Sequence, residues 1–175
     1  MTVLQIGAAG GVGQRLARLL VARGDAVTGM HRDPAQAETV RASGATPLTA
    51  DLVDDSVDEL ATKIGGHDAV VFSAGGHGTG RDKTTVIDGK GLEKAAAGAA
   101  RAGVSRFVLV SVFPDALRAG EPDEGFEHYV KVKKTADVAA FIDAALHEPA
   151  LSRVIVELTG GETPVTEAVA RLVSS

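Results

Sequence analysis

Three glycines follow the first apolar run of the chain at a spacing that suits the binding of an anion. In VLQIGAAGGVGQRLARLL, Gly7, Gly10 and Gly13 lie between a predicted strand and a predicted helix. Gly7 permits a tight turn, Gly10 lets a pyrophosphate approach the backbone, and Gly13 lets the helix pack on the strand. The free amides at the helix start favour a negative group, although a packing turn without a ligand is the alternative. The residues expected to contact the ligand here are Gly7, Ala9, Gly10, Gly11, Val12 and Gly13.

The end of the second predicted strand, AVTGMHRDP, indicates which dinucleotide the turn would bind. A site for NAD usually offers a carboxylate there to the ribose 2′-hydroxyl, whereas Arg32 can grip a 2′-phosphate with two hydrogen bonds. NADP(H) is therefore expected, with NAD(H) less favoured. Asp33 either pairs with Arg32 or only caps the next helix. His31 is expected at the surface or at the edge of the adenine.

Two further loops follow predicted strands and would lie at the same edge of the sheet. After the third strand, Asp51 and Leu52 could flank the adenine, with Asp51 accepting from its exocyclic amine; alternatively, Asp51 caps the following helix. After the fourth strand, small residues let the cofactor backbone lie close, and these are Ala74, Gly75 and Gly76. His77 in the same loop is either catalytic or simply solvated.

Short apolar runs alternate with helical patterns along the chain, and together they would position these loops. The predicted strands are Val3–Ile6, Ala26–Met30, Thr46–Thr49, Ala69–Ser73, Arg106–Val112 and Arg153–Leu158. The predicted helices are Val12–Arg23, one that starts at Pro34, Val57–Ile64, Val86–Ala102 and His128–Leu146. This order predicts an α/β fold with a doubly wound parallel sheet, a three-layer αβα Rossmann fold. We expect about six strands in the order 3-2-1-4-5-6 in one domain, residues 1–175.

Composition excludes several other classes of protein. A formal net charge of −5 and an aromatic content of 3% argue against binding to nucleic acid. No apolar run approaches the roughly 18 residues of a membrane span, and the N-terminal segment lacks the basic start of a signal peptide, so a cytoplasmic protein is expected. The chain has no cysteine, which rules out disulfides and cysteine-ligated metals, and no metal site is predicted. The expected partner is a small-molecule substrate, and the expected state is a monomer or a small homo-oligomer.

Several segments in one order resemble a known family. The glycine turn is followed by HRDP, ADL, AVVFSAG and VIDGKGLEKAAAGAARAGVSRFVLVSVF. Together they resemble the atypical short-chain dehydrogenase/reductases, and more closely the NmrA-like, biliverdin-reductase-B-like NAD(P)-binding group. The resemblance runs from Met1 to about Lys134 and resumes near the C-terminus.

The resemblance implies a catalytic set of Ser111, Tyr129 and Lys133. In that superfamily the tyrosine exchanges a proton with the substrate oxygen, and the serine orients the carbonyl. The lysine lowers the pKa of the tyrosine and holds the nicotinamide ribose. The chemistry is reasonable, because residues four apart on a helix face the same way and an ammonium beside a phenol lowers the pKa of the phenol. The alternative is an amphipathic helix pair, with Ser111 a hydroxyl at a strand end.

The chain departs from that family after Asp137. Relatives leave the helix for a further strand and a substrate-covering loop, whereas here KKTAD runs directly into VAAFIDAALHEP. A natural deletion, an engineered one and omitted disordered residues would all produce this join.

Taken together, the glycine turn, Arg32 and the catalytic set predict an NADP(H)-dependent oxidoreductase that transfers a hydride to or from a small carbonyl, flavin-like or quinone-like substrate. The alternative is an NADP-binding module or redox sensor without turnover.

Overall fold

The computed structural model describes residues 1–75, 89–111, 137–158 and 163–174. By their contacts, the residues form two compact units, Met1–Val110 and Ser111–Ser175. Within the described residues, the first unit contains a five-stranded sheet with its helices, and the second contains helices and irregular segments.

All strands of the sheet run parallel, in the order β3-β2-β1-β4-β5. The strands are β1 (Thr2–Ile6), β2 (Ala26–His31), β3 (Thr46–Thr49), β4 (Ala69–Phe72) and β5 (Arg106–Leu109). The helices of this unit are α1 (Gly11–Arg23), α2 (Ala37–Ala42, after a 3₁₀ turn at Pro34–Gln36), α3 (Val57–Ile64) and α4 (Leu92–Arg101). The predicted doubly wound α/β fold is therefore confirmed, with five strands in the described part of the chain.

Side chains alternate between the two faces of the sheet, and each face packs on different helices. On one face, Ile6 lies in a core cluster with Leu60 of α3 and Ala95 of α4. On the other face, Gln5 lies against the first turns of α1, and Gly29 approaches the side chain of Val40 in α2. Helices therefore flank the sheet on both sides, as the three-layer prediction requires.

Local sequence signals set the ends of these helices. Gly24 ends α1 in the left-handed conformation, with φ of 95°. The Asp33 side chain accepts a hydrogen bond from the Ala35 amide at 2.9 Å and so caps the 3₁₀ turn. Ser56 and Glu59 form a reciprocal capping box at the start of α3. Each of these helix ends can be predicted from residue type alone.

The predicted sixth strand, Arg153–Leu158, is wrong. Residues 153–158 have no strand pairing, Arg153 has a φ of 56°, and the Ile155 side chain is fully exposed. A strand needs an extended backbone and a hydrogen-bonded neighbour, and the left-handed conformation at Arg153 interrupts the extended backbone. The β-branched composition of this segment is a preference that the surrounding structure overrides.

The second unit contains helical residues 137–146 (α5) and a helix that sequence reasoning missed, Val165–Val173 (α6). The rest of the predicted His128–Leu146 helix, and residues 86–88 of the predicted Val86–Ala102 helix, lie outside the described residues. Pro164 precedes α6, and Val169 on its inner face is buried. None of the helices in the described ranges is long and apolar enough to cross a membrane.

Asp68 ties the start of β1 to the loop before β4, and this link should depend on pH. Its carboxylate accepts from the Thr2 amide at 2.6 Å and from the Thr2 hydroxyl at 3.0 Å, and these bonds lower the pKa of Asp68. A carboxyl with a lowered folded-state pKa stabilises the fold above its unfolded pKa, and this contribution is lost as pH falls through the folded value. We expect Asp68→Asn to lower the melting temperature at pH 7, with a gap to wild type that narrows below about pH 4.

Thermal unfolding followed by circular dichroism from pH 7 to pH 3 measures this gap. Asp54→Asn is the matched control, since it removes the same charge from an exposed carboxylate. A gap for Asp68→Asn that stays constant down to pH 3 would contradict the linkage.

Candidate functional site

The carboxyl ends of the strands form the edge at which the predicted site residues meet. β1 pairs with β2 on one side and with β4 on the other. The chain therefore builds outward from β1 to β3 and then returns to the other side of β1. Ligands of open α/β sheets bind in the crevice at this reversal, beyond the carboxyl ends of the strands.

Gly7 and Gly13 are required by the protein's own packing. Gly7 has a φ of 88°, and a Cβ there would lie 2.6 Å from the backbone nitrogen of Ala74. A Cβ on Gly13 would lie 2.5 Å from the Gly7 carbonyl oxygen. Real Cβ atoms do not approach backbone this closely, so both positions exclude a side chain. They bring the turn after β1 against the end of β4 and seat α1 on that turn.

Gly10 is different, because a side chain there would be tight against one backbone atom but not excluded. Its φ of −75° and ψ of 168° suit any residue, and among the described atoms only the Gly7 carbonyl oxygen, at 3.2 Å, would lie within 4 Å of an added Cβ. Gly10 is also the N-terminal cap of α1, without a side-chain hydrogen bond and without an acidic residue in the first turn. Within the described residues, no side chain caps the first amides of α1, and uncapped amides at a helix start suit an anion.

The turn is held by two glutamines that sequence reasoning missed. The buried Gln5 carboxamide, turned so that its nitrogen meets an acceptor, donates to the Gly13 carbonyl at 3.2 Å and accepts from the Ala17 amide at 3.3 Å. The Gln14 side chain donates to the Ala9 carbonyl at 2.8 Å. A polar residue inside the apolar run VLQIG was the available signal, because buried amides need partners.

The side chains of His31 and Asp33, at the end of β2, both make contacts within the protein. His31 is 6% exposed, so the surface alternative is wrong, whereas its position at the edge of the adenine stays a prediction. Its Nδ1 lies 3.1 Å from the Asp33 carbonyl oxygen. Burial follows because the strand continues through His31, whose carbonyl accepts from the Ala50 amide at 3.0 Å. The Asp33 carboxylate caps the following turn. The capping alternative for Asp33 is therefore confirmed.

Arg32 extends from the same strand end toward the next loop. Its side chain is 59% exposed, and its Nε lies 4.0 Å from Oδ2 of Asp51. Within the described residues, no other hydrogen bond or ion pair of the Arg32 side chain is present. Among the described residues, the Asp51 carboxylate is thus the one charged group that the guanidinium approaches.

Asp51 does not cap the helix after β3, because Ser56 does. Its Oδ1 instead accepts from the Val53 amide at 2.8 Å within the loop. The adjacent Leu52 is 9% exposed and belongs to the core cluster. The prediction that Asp51 and Leu52 contact the adenine stays a prediction.

The loop after β4 begins close to the glycine turn. The Ser73 amide donates to the Ile6 carbonyl at 2.9 Å, which carries the ladder between β1 and β4 one residue further. Ala74 is half-buried and Gly75 is exposed, so the start of this loop presents no bulky side chain. Gly76 and His77 lie outside the described residues.

Of the three predicted catalytic residues, Ser111 alone lies within the described part of the chain, so the catalytic set stays a prediction. Ser111 is exposed and follows Val110, whose amide donates to the Phe72 carbonyl at 2.9 Å. Tyr129 and Lys133 lie outside the described residues. The described ranges contain no cluster of three or more His, Asp or Glu side chains that could hold a metal ion. The described residues bring to this edge of the sheet the uncapped start of α1 and, at the end of the neighbouring strand β2, Arg32.

Comparison with known proteins agrees with this geometry. Residues 7–144 match the model of a family described as NAD(P)H-binding. The chain is 32% identical to a Bacillus subtilis (strain 168) protein described as the uncharacterized sugar epimerase YhfK, over 98% of this chain and 100% of that protein. That alignment runs over 216 positions, more than the 175 residues here, so the relative has residues without a counterpart in this chain.

Two solved structures have the same fold. A putative NAD-dependent epimerase/dehydratase from Bacillus halodurans is 34% identical with a TM-score of 0.60, covering 81% of this chain and 64% of that one. A short chain dehydrogenase/reductase family protein is 28% identical with a TM-score of 0.56, covering 83% of this chain and 68% of that one. The chain thus spans somewhat less than two thirds of the B. halodurans protein. It belongs to the NAD(P)H-binding family, and its structural neighbours include proteins of the short-chain dehydrogenase/reductase type.

Proposed function

We propose that the chain is an NADP(H)-dependent oxidoreductase that transfers a hydride to or from a small carbonyl, flavin-like or quinone-like substrate. The observation that supports the choice of NADP over NAD is Arg32. Its exposed guanidinium follows β2, and the nearest carboxylate in sequence, Asp33, is engaged as a cap. A positive group at this point favours a ribose 2′-phosphate, which NAD lacks.

The remaining cofactor contacts follow from the same edge of the sheet. The amides of Gly11, Val12 and Gly13 would bind the pyrophosphate, since the first turn of α1 has no other anion. Ala74 and Gly75 would leave room for the middle of the dinucleotide. The residues fit the group because, within the described ranges, no side chain caps the start of α1 and the cap position itself, Gly10, carries none.

The proposed chemistry depends on the residues implied by the family resemblance. The bound nicotinamide supplies or accepts the hydride. Tyr129 would give a proton to the substrate oxygen or take one from it, and Lys133 would favour the phenolate by its charge. Ser111 would orient the carbonyl with its hydroxyl. The same proposal includes that the chain belongs to the NmrA-like group, which is narrower than the NAD(P)H-binding family.

A second candidate is an NADP-binding module or redox sensor without turnover. It is favoured by the alignment of 216 positions with a chain of 175 residues, because residues that the relative has are missing here. We place the missing residues after Asp137, in the segment that would cover the substrate. The two candidates share the cofactor site and differ only in catalysis.

Substitutions in the glycine turn separate cofactor binding from folding. We expect Gly10→Ala to weaken NADPH binding about tenfold, because a methyl group there blocks one amide contact worth about 1.4 kcal/mol. Its melting temperature should fall less than that of Gly13→Ala, because its Cβ would lie 3.2 Å from the Gly7 carbonyl oxygen rather than 2.5 Å. Gly13→Ala should instead destabilise the fold by about 1–3 kcal/mol, since its Cβ overlaps backbone. Fluorescence titration and thermal unfolding measure the two effects, and unchanged NADPH affinity in Gly10→Ala would contradict the pyrophosphate placement.

Arg32→Ala tests the 2′-phosphate contact. We expect NADP affinity to fall about ten- to a hundredfold, as for a lost charge-assisted bond, while NAD affinity changes little. Calorimetric titration with both dinucleotides measures the two losses. Arg41→Ala is the matched control, because Arg41 is similarly exposed, at 57%, and pairs with Glu38 on α2. Equal losses for NADP and NAD in Arg32→Ala would show that Arg32 does not read the 2′-phosphate.

Tyr129→Phe distinguishes the enzyme from the sensor. If Tyr129 transfers the proton, the variant should lose at least about a hundredfold in kcat while its NADPH affinity stays unchanged. NADPH absorbance followed against a panel of carbonyls, flavins and quinones measures turnover. Wild-type protein that binds NADPH but reduces none of these acceptors would favour the sensor.

A further inference from the structure

We propose that Asp51 is a specificity-determining residue that acts through Arg32 and limits the preference for NADP over NAD. The proposal rests on the function proposed above, because it concerns how the same arginine meets the 2′-phosphate. The proposed role differs from an adenine contact. A contact with the adenine would affect NADP and NAD alike, because both dinucleotides contain it.

The loop after β3 holds Asp51 in place from several directions. The Asp51 amide donates to the Asp55 carboxylate at 3.0 Å, and the Asp55 amide donates back to the Asp51 carbonyl at 2.9 Å. Lys63 from α3 lies 2.5 Å from the same Asp55 oxygen. Lys94 from α4 donates to the Val53 carbonyl at 2.9 Å, which ties the loop to a second helix. The backbone of Asp51 is therefore fixed before any ligand arrives.

The Asp51 side chain divides its two oxygens between the loop and Arg32. Oδ1 accepts from the Val53 amide at 2.8 Å, so Oδ2 is the oxygen directed at Nε of Arg32, 4.0 Å away. The Asp51 side chain is 25% exposed and the Arg32 side chain 59%. A fixed carboxylate thus faces a more exposed guanidinium on its Nε side and leaves the terminal fork for a phosphate.

This arrangement makes the carboxylate a competitor of the 2′-phosphate. A phosphate that binds the guanidinium either shares the positive charge of Arg32 with Asp51 or draws the Arg32 side chain away from Asp51. In both cases part of the Arg32–Asp51 attraction is lost. NAD has a hydroxyl at the same place and leaves that pair intact. The cost therefore falls on NADP alone, and it should be modest because the pair is partly exposed.

Asp51→Asn removes the charge but keeps an oxygen that can accept from the Val53 amide. We expect the ratio of NADP affinity to NAD affinity, measured by calorimetric titration, to rise about two- to fivefold. The rise should shrink when the ionic strength is raised to about 1 M, where charges are screened within about 3 Å. Asp54→Asn is the matched control, because it removes the same charge from an exposed side chain of the same loop. It should leave the ratio unchanged.

The double variant Arg32→Ala/Asp51→Asn shows whether Asp51 acts through Arg32. If it does, Asp51→Asn changes the ratio in wild type but not in the Arg32→Ala background. An unchanged ratio in the single variant, or an equal change in both backgrounds, would overturn the proposal. If Arg32→Ala alone leaves the ratio unchanged, the proposed 2′-phosphate contact fails instead, and the role of Asp51 fails with it.

Discussion

The close approach of the glycine turn to the end of β4 is the constraint on which the rest of the site depends. Gly7 lies so near the Ala74 backbone that no side chain fits between them, and Gly13 lies equally close to the Gly7 carbonyl. These contacts place the start of α1 between β1 and β4, where the strand order of the sheet reverses. The helix amides and the chain reversal therefore coincide, which is what a ligand bridging both halves of the sheet requires.

Polar side chains that are buried or partly buried then hold that geometry. Gln5 is enclosed between β1 and α1, where its carboxamide has to find partners, and it finds them in the first turns of the helix. On the other side of the site, the Lys63–Asp55 pair and the backbone bonds of Asp51 fix the loop after β3. These contacts order the glycine turn and the loop after β3, so less binding energy is needed to order those two segments.

Much of the fold could be predicted because its signals are local. The spacing of apolar residues indicated all five strands of the described sheet, and Gly24 and Asp33 marked helix ends by residue type alone. The two errors have one physical cause. Residues 153–158 have strand composition but form no strand, and α6 is a short helix stabilised by the face that buries Val169. In both segments tertiary contacts, not propensity, decide the structure.

The sequence by itself determined that this chain folds as an α/β dinucleotide-binding protein, because glycine spacing and strand alternation act over a few residues. Only the tertiary structure decided what each site residue has left to offer a ligand. It buried His31 and brought Arg32 to 4.0 Å from Asp51 across neighbouring strand ends. Such distances depend on how β2 and β3 pair, and pairing is set by packing between segments that are remote in sequence.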